Sequence, residues 1–346
     1  MKVAKLYSFH DIRIEDIPIP QIGPKNILIK TKACGICSGD VMPWYIEKKA
    51  PLILGHEPVG EIVEIGKECN LLPQFKFKIK DRVFVHHHAS CMNCNYCFRG
   101  DYVQCETWRN TKIIPGGISE YILVPETILL NDTLKLPIDL SYEDGLLIEP
   151  TACTVKSLRR SLIKKGDTVL VIGLGVMGQM HVLLAREFGA KKIIGADMVP
   201  FRLKKAIDFG ADYTIDVSKE DLIEKVKSLT SGYMANIVIV GPNSVDAMKN
   251  GIKTVSPGGT VVLFTPAKPN ETLDINPNEI YFKDINIVTS YSCGHDDIKM
   301  ALDFISKGII NSERLMTHRF SIEDTEKAYR ITAEARDSLK CAIIFK

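Results

Sequence analysis

A chain of 346 residues has the length for two domains, each burying its own core, and its 45% apolar and 25% charged residues are ordinary for a globular protein. Its 44 basic and 42 acidic side chains leave a net charge of +2 without long blocks of one sign, so there is no electrostatic case for nucleic acid or a membrane surface as partner. The opening MKVAKLYSFHDI lacks an apolar signal-peptide core, and the most apolar run, 168–185, is broken by three glycines, Gln179 and His181, so no membrane span is expected and a cytoplasmic protein is.

Up to about residue 150, short β-type runs alternate with Gly, Pro and Asn turns: ILIKTKACG, PVGEIVEIG, RVFVHHH and SEYILVP. Little sustained helical periodicity is visible there. Ten cysteines in a cytosolic chain point away from disulfides, and four of them lie in one short loop, Cys91-x2-Cys94-x2-Cys97-x7-Cys105, with Cys69 upstream. Four thiolates at that spacing can close a tetrahedral shell around Zn²⁺ with no open position, which makes the role structural. Four unrelated buried cysteines do not easily produce such a pattern. Other candidates are dispersed: Cys37 in ACGICSGD, His56 and Glu57 in GHEPVG, and Glu149 in IEPTACT. Taken singly, each has a bland reading as a buried thiol, an ordinary histidine or a surface charge.

After residue 150 the pattern becomes strand, helix, strand, helix. TVLVIGLG leads into MGQMHVLLAREFGA, KIIGADM into FRLKKAIDFGA, and YTIDV into DLIEKVKSLT, followed by NIVIVG, DAMKNGIKTV, GTVVLF and INIVTSY. Such alternation predicts a parallel, doubly wound sheet. Gly173, Gly175 and Gly178 have the GxGxxG spacing directly after the first strand, with Val176 and Met177 opening the helix. The first glycine permits the tight turn, the second lets backbone approach a pyrophosphate, and the third lets helix pack on strand. Asp197 ends the second strand, where a carboxylate can hold both ribose hydroxyls and would repel a 2′-phosphate. NAD is therefore expected ahead of NADP. Arg202, Lys204 and Lys205 complicate that preference, and are read first as a solvated helix start. Beyond residue 290 come two helical patterns, DDIKMALDFISKG and IEDTEKAYRITAEA, and then CAIIFK.

Read in order, GICSGD, GHEPVGEIVEIG, the four-cysteine loop, IEP and VIGLGVMG resemble the zinc-containing medium-chain alcohol dehydrogenases, most closely their polyol (sorbitol) and threonine dehydrogenase branch. The resemblance implies an α/β fold in which a Rossmann doubly wound sheet is inserted into a mostly β, GroES-like catalytic domain. The catalytic domain would take 1–153 and 290–346, and the NAD-binding domain 154–289. It implies two Zn²⁺ per chain. Cys37 and His56 would ligate the catalytic ion, Glu57 would be a third ligand or a close partner, and Glu149 would stand where ethanol-type members carry a second cysteine. It implies a small-molecule alcohol substrate, polyol or sugar-like, whose secondary hydroxyl is polarised by the ion and whose hydride passes to the nicotinamide. A homo-oligomer, dimer or tetramer, is expected through the edge strand near 289–292. Cys34, Cys153, Cys293 and Cys341 fit no ligand position and read as small buried hydrophobes.

The chain departs from the family at the proton path. Relatives carry a hydroxyl two residues after the ligand cysteine and often a histidine three further on; here those positions are Gly39 and Met42. Either Ser38 has taken over, or a zinc-bound water near Glu57 and Glu149 does the work, and the water is the expectation. In the run His86-His87-His88, strand alternation would turn His87 away from the other two. His87 and His88 are either a polar strand end or part of the substrate pocket. The competing functions are an L-threonine 3-dehydrogenase-type activity and a non-catalytic dinucleotide-binding redox sensor; the intact ligand set argues against the sensor.

Overall fold

In the computed structural model, which describes all 346 residues, the run ILIKTKACG forms the strand Ile27–Gly35, buried at seven of its nine positions. Its isoleucines pack with Ile62, Val83, Val85 and Ile122 into one core, while Cys34 joins Leu6, Leu54, Ile118 and Tyr329 in another. Its buried residues face both cores, so the sequence shows no clean in–out alternation. On one side it pairs antiparallel with Glu57–Ile65, and on the other with Tyr121–Val124 and, further along, with Lys340–Ile344. The whole sheet runs Met316–Phe320, Lys340–Ile344, Ile27–Gly35, Glu57–Ile65, Arg82–Val85, Thr133–Lys135. A smaller sheet joins Asp11–Asp16, Lys2–Ser8 and Leu52–Ile53. These elements belong to one compact unit, Met1–Ala152 with Cys293–Lys346.

The register near Gly35 does the positioning. Gly35 faces Glu57 across one ladder and Ala342 across the other, so residues distant in sequence converge where this strand ends. A Cβ on Gly35 would stand 1.9 Å from Glu57 Oε2 and 2.8 Å from Lys340 Cε. The glycine serves close packing.

The second unit, Cys153–Ser292, holds a six-stranded, wholly parallel sheet in the order Tyr213–Asp216, Lys192–Asp197, Thr168–Ile172, Ala235–Val240, Val255–Leu263, Asn286–Thr289. Each predicted strand–helix pair is present, with helices Val176–Ala185, Pro200–Asp208, Leu222–Leu229 and Val245–Thr254. Strand order reverses beside Thr168–Ile172, the switch point at which such sheets bind ligands. One further helix, Pro277–Phe282, was not foreseen; it is short, and Asn276 caps it through Asn278 N–H. No helix of the chain is long and apolar enough to cross a membrane.

Candidate metal and dinucleotide sites

The loop 91–105 brings its four thiols together. Sγ–Sγ separations are 3.9 Å for Cys91–Cys97, 3.5 Å for Cys94–Cys97 and 3.6 Å for Cys105–Cys91. A tetrahedron with Zn–S bonds of about 2.3 Å has edges of about 3.8 Å, whereas a disulfide needs about 2 Å. The donor set therefore fits a tetrahedral zinc. Its electrostatics agree: burial opposes ionisation of Cys105, but N–H groups of Cys91 and Trp108 outweigh it and hold that thiol at about 6. Burial and the three neighbouring sulfurs push Cys97 up to about 12.

Beyond Gly35 the chain turns through Ser38–Val41, and Gly39 N–H donates to Cys37 Sγ at 3.3 Å. His56 Nδ1 lies 3.1 Å from Oδ2 of the buried Asp40. A carboxylate on one ring nitrogen orients the imidazole and leaves Nε2 for a ligand, the usual support for a metal-bound histidine. Donor atoms of Cys37, His56 and Glu57 lie within 4.8 Å of one another. Sulfur, imidazole and carboxylate in one place suit Zn²⁺. Glu57 is fully buried with Lys340, whose Nζ is 2.7 Å from Oε1 and 2.5 Å from Oε2 and also donates to Ile36 O at 3.0 Å. Burial disfavours the Lys340 charge, yet Glu57 overcomes it and holds the ammonium above its ordinary value.

Glu149, in the first turn of the helix Ile148–Arg160, meets a different pair. Its donor atom groups with those of His86 and Cys293. Cys293 had read as a mere buried hydrophobe; it is fully buried, but its Sγ stands 3.3 Å from His86 Nε2. The alternation assumed for the three histidines does not apply, because the strand Arg82–Val85 stops before them. Their rings adjoin in sequence, 4.5 Å between His86 and His87 and 4.4 Å between His87 and His88. His87 also lies 4.9 Å from the His56 ring, and its Nδ1 is buried with no hydrogen-bond partner. His88 packs 4.5 Å from the Trp108 ring and bonds the Thr111 carbonyl. Ser38 is exposed on its turn.

In the second unit Gly173 has φ +86° and Gly178 sits where a Cβ would be 2.0 Å from Gly173 O. Only glycine fits either position. Gly175 instead faces open space, with Arg202 Cζ nearest at 4.0 Å, at the N-terminus of the helix that Val176 and Met177 begin. Backbone approach and a helix N-terminus together suit a pyrophosphate. Asp197 accepts from Leu174 N–H at 2.7 Å, Met198 N–H at 2.8 Å and Val199 N–H at 2.9 Å. Arg202 corrects an expectation: it is no solvated helix start, its side chain being 16% exposed with Nη1 3.5 Å from Asp197 Oδ2. Helix geometry folds residue 202 back over the end of the second strand, so part of the Asp197 charge is offset locally.

Sequence reasoning gave no role to Asp40, His86, Cys293 or Lys340. Asp40 had a signal, as a carboxylate three residues after a candidate cysteine in GICSGD. The others are joined only by tertiary contact.

The alcohol dehydrogenase GroES-like domain family matches residues 23–136, and the zinc-binding dehydrogenase family residues 176–307. Over 337 residues the chain is 30% identical to a sorbitol dehydrogenase of Bacillus subtilis, covering 95% of this chain and 92% of that one. A Sinorhizobium meliloti structure described as a zinc-binding dehydrogenase bound to NADP superposes with TM-score 0.87 at 28% identity, over 99% of both chains. The 2R,3R-butanediol dehydrogenase of Bacillus subtilis gives TM-score 0.86 at 26% identity, over 100% of this chain and 99% of that one.

Proposed function

Because the chain belongs to the zinc-containing alcohol dehydrogenase family, we propose that it oxidises a secondary alcohol of polyol or sugar-like type to a ketone, with NAD as hydride acceptor. The observation that carries this reading is the convergence of Cys37, His56 and Glu57 donor atoms within 4.8 Å, with Asp40 on His56. Zn²⁺ bound there would supply Lewis acidity toward the substrate hydroxyl, and a bound nicotinamide would supply the hydride acceptor.

The chain's own residues do the rest. Cys37 and His56 would hold the ion with Glu57, Asp40 fixes the imidazole, and Lys340 holds the Glu57 carboxylate in place. His87 offers a hydroxylated substrate its buried, unsatisfied Nδ1; a polar atom left unpaired costs free energy that a substrate hydroxyl recovers. Gly39 and Met42 carry no group able to pass a proton, and Ser38 is exposed, so the hydroxyl proton leaves through water beside the buried Glu57 and Glu149. The turn 173–178 cradles the pyrophosphate and Asp197 receives the ribose. A second ion in the loop 91–105 is structural. We further infer a dimer or tetramer built through Asn286–Thr289, the last strand of its sheet.

A panel of polyols, sugars, simple secondary alcohols and threonine, followed by NADH formation on protein of known zinc content, tests this. Activity on polyols with zinc present is expected. Turnover of threonine alone, or none on any alcohol at full metal content, overturns it.

A further inference from the structure

His86, Glu149 and Cys293 form a second mixed donor set that the proposed reaction leaves without an assigned ion. All three are buried, at 0%, 4% and 0% exposure, and one ligand atom from each lies within 4.8 Å of the other two. From this we propose that the catalytic unit holds a further divalent cation of the zinc class, seated on His86 Nε2, Cys293 Sγ and the Glu149 carboxylate.

Three observations support it. First, His86 Nδ1 lies 2.5 Å from the His88 carbonyl oxygen, which can only accept, so in the neutral ring the proton sits on Nδ1 and Nε2 is the nitrogen left for a ligand. A backbone carbonyl on the distal nitrogen is a common support for a metal-bound imidazole. Second, the spacing suits a metal. Bonds of about 2.0 Å to nitrogen and about 2.3 Å to sulfur in tetrahedral geometry put those atoms about 3.5 Å apart, and Sγ–Nε2 is 3.3 Å. Third, the donors come from segments with no local reason to meet. His86 follows the strand Arg82–Val85, Glu149 opens the helix Ile148–Arg160, and Cys293 precedes the helix His295–Ser306.

Without the ion, the Cys293 S–H can donate to His86 Nε2. On binding, the thiol releases its proton to solvent, sulfur and nitrogen each give a lone pair to the cation, and a fourth position stays open. Nitrogen, sulfur and oxygen together favour Zn²⁺ over Mg²⁺ or Ca²⁺, which prefer all-oxygen shells.

This seat does not depend on the assignment of Cys37, and the test keeps the two apart. Elemental analysis of purified protein equilibrated with zinc should find about three ions per chain. Cys293→Ala and Cys37→Ala should each lose one, and the double variant two. Full wild-type metal content in Cys293→Ala overturns the seat whatever Cys37→Ala shows; unchanged content in Cys37→Ala overturns the catalytic assignment alone. If Cys293→Ala fails to fold, wild-type protein exchanged with cadmium decides by its ¹¹³Cd resonances. A third, mixed-ligand signal supports the seat, and two signals only refute it.

Discussion

Lys340 and Glu57 lie 283 positions apart in sequence, yet the ammonium of one sits 2.5 Å from the carboxylate of the other with both side chains essentially unexposed. Breaking a buried pair by removing one partner strands the remaining charge, typically at about 3–5 kcal/mol. Lys340→Met should therefore lower the melting temperature markedly, and Glu57→Gln added to it should recover a large part of the loss. Calorimetry on the three proteins checks this. A Lys340→Met protein as stable as the parent would show that the pair does not hold the sheet junction.

The catalytic and structural metal assignments should part under chelation. A mild chelator should strip the Cys37–His56–Glu57 set before the four-cysteine loop, abolishing turnover while circular dichroism stays unchanged. Cys94→Ser should instead lower thermal stability, because structural zinc contributes folding free energy. Zinc-free protein that still turns over would refute the mechanism.

Asp197→Ala should weaken NAD far more than NADP, measured as the ratio of the two kcat/KM values, since ribose hydroxyls lose their acceptor. Arg202, held against that carboxylate, complicates the contrast with NADP. A parent enzyme that prefers NADP would assign recognition to Arg202 instead.

Asp144 gives a pH-dependent prediction. Its carboxylate accepts from Ser141 Oγ at 2.5 Å and from Ser312 N–H at 2.7 Å, tying the helix Tyr142–Gly145 to the C-terminal segment. Burial pushes its pKa up, but these hydrogen bonds prevail and hold it below the ordinary 3.8. A depressed folded-state pKa gives stability that is fully present above the unfolded value and lost as pH falls through the folded one. Asp144→Asn should thus cost stability at pH 7, by about 1 kcal/mol, and progressively less below pH ~4. A cost independent of pH would exclude the charge as its source.

Ser38→Ala should change turnover by well under the ~100-fold expected on losing a general base, provided zinc is retained. Loss of turnover across the pH range would make the hydroxyl the relay.

The fold was legible wherever the signal is local. Strand–helix alternation after residue 150 and the glycine spacing at 173–178 depend on neighbours in sequence, and so does the cysteine spacing that gathers four Sγ atoms. Reading failed where a local rule was carried past its element. Alternation at 86–88 presumes a strand that ends at Val85, and the solvated helix start expected for Arg202, Lys204 and Lys205 overlooks the Asp197 carboxylate that Arg202 meets. Lys340 and Cys293 gave no hint at all. Each acquires its meaning from a partner brought by sheet register or helix placement, and a single sequence does not display either.

The pairing of Lys340–Ile344 with Ile27–Gly35 has a consequence for biosynthesis. A ribosome delivers Lys340 283 residues after Glu57, so until then the nascent chain carries a central strand with an open edge. Cys153–Ser292 has no such debt, since its six strands are contiguous, and can fold while the remainder is still being made. Closure of the catalytic unit then waits on the strand Lys340–Ile344. Ribosome-bound chains stalled before residue 340 should show a protease-resistant 153–292 segment beside an accessible N-terminal one.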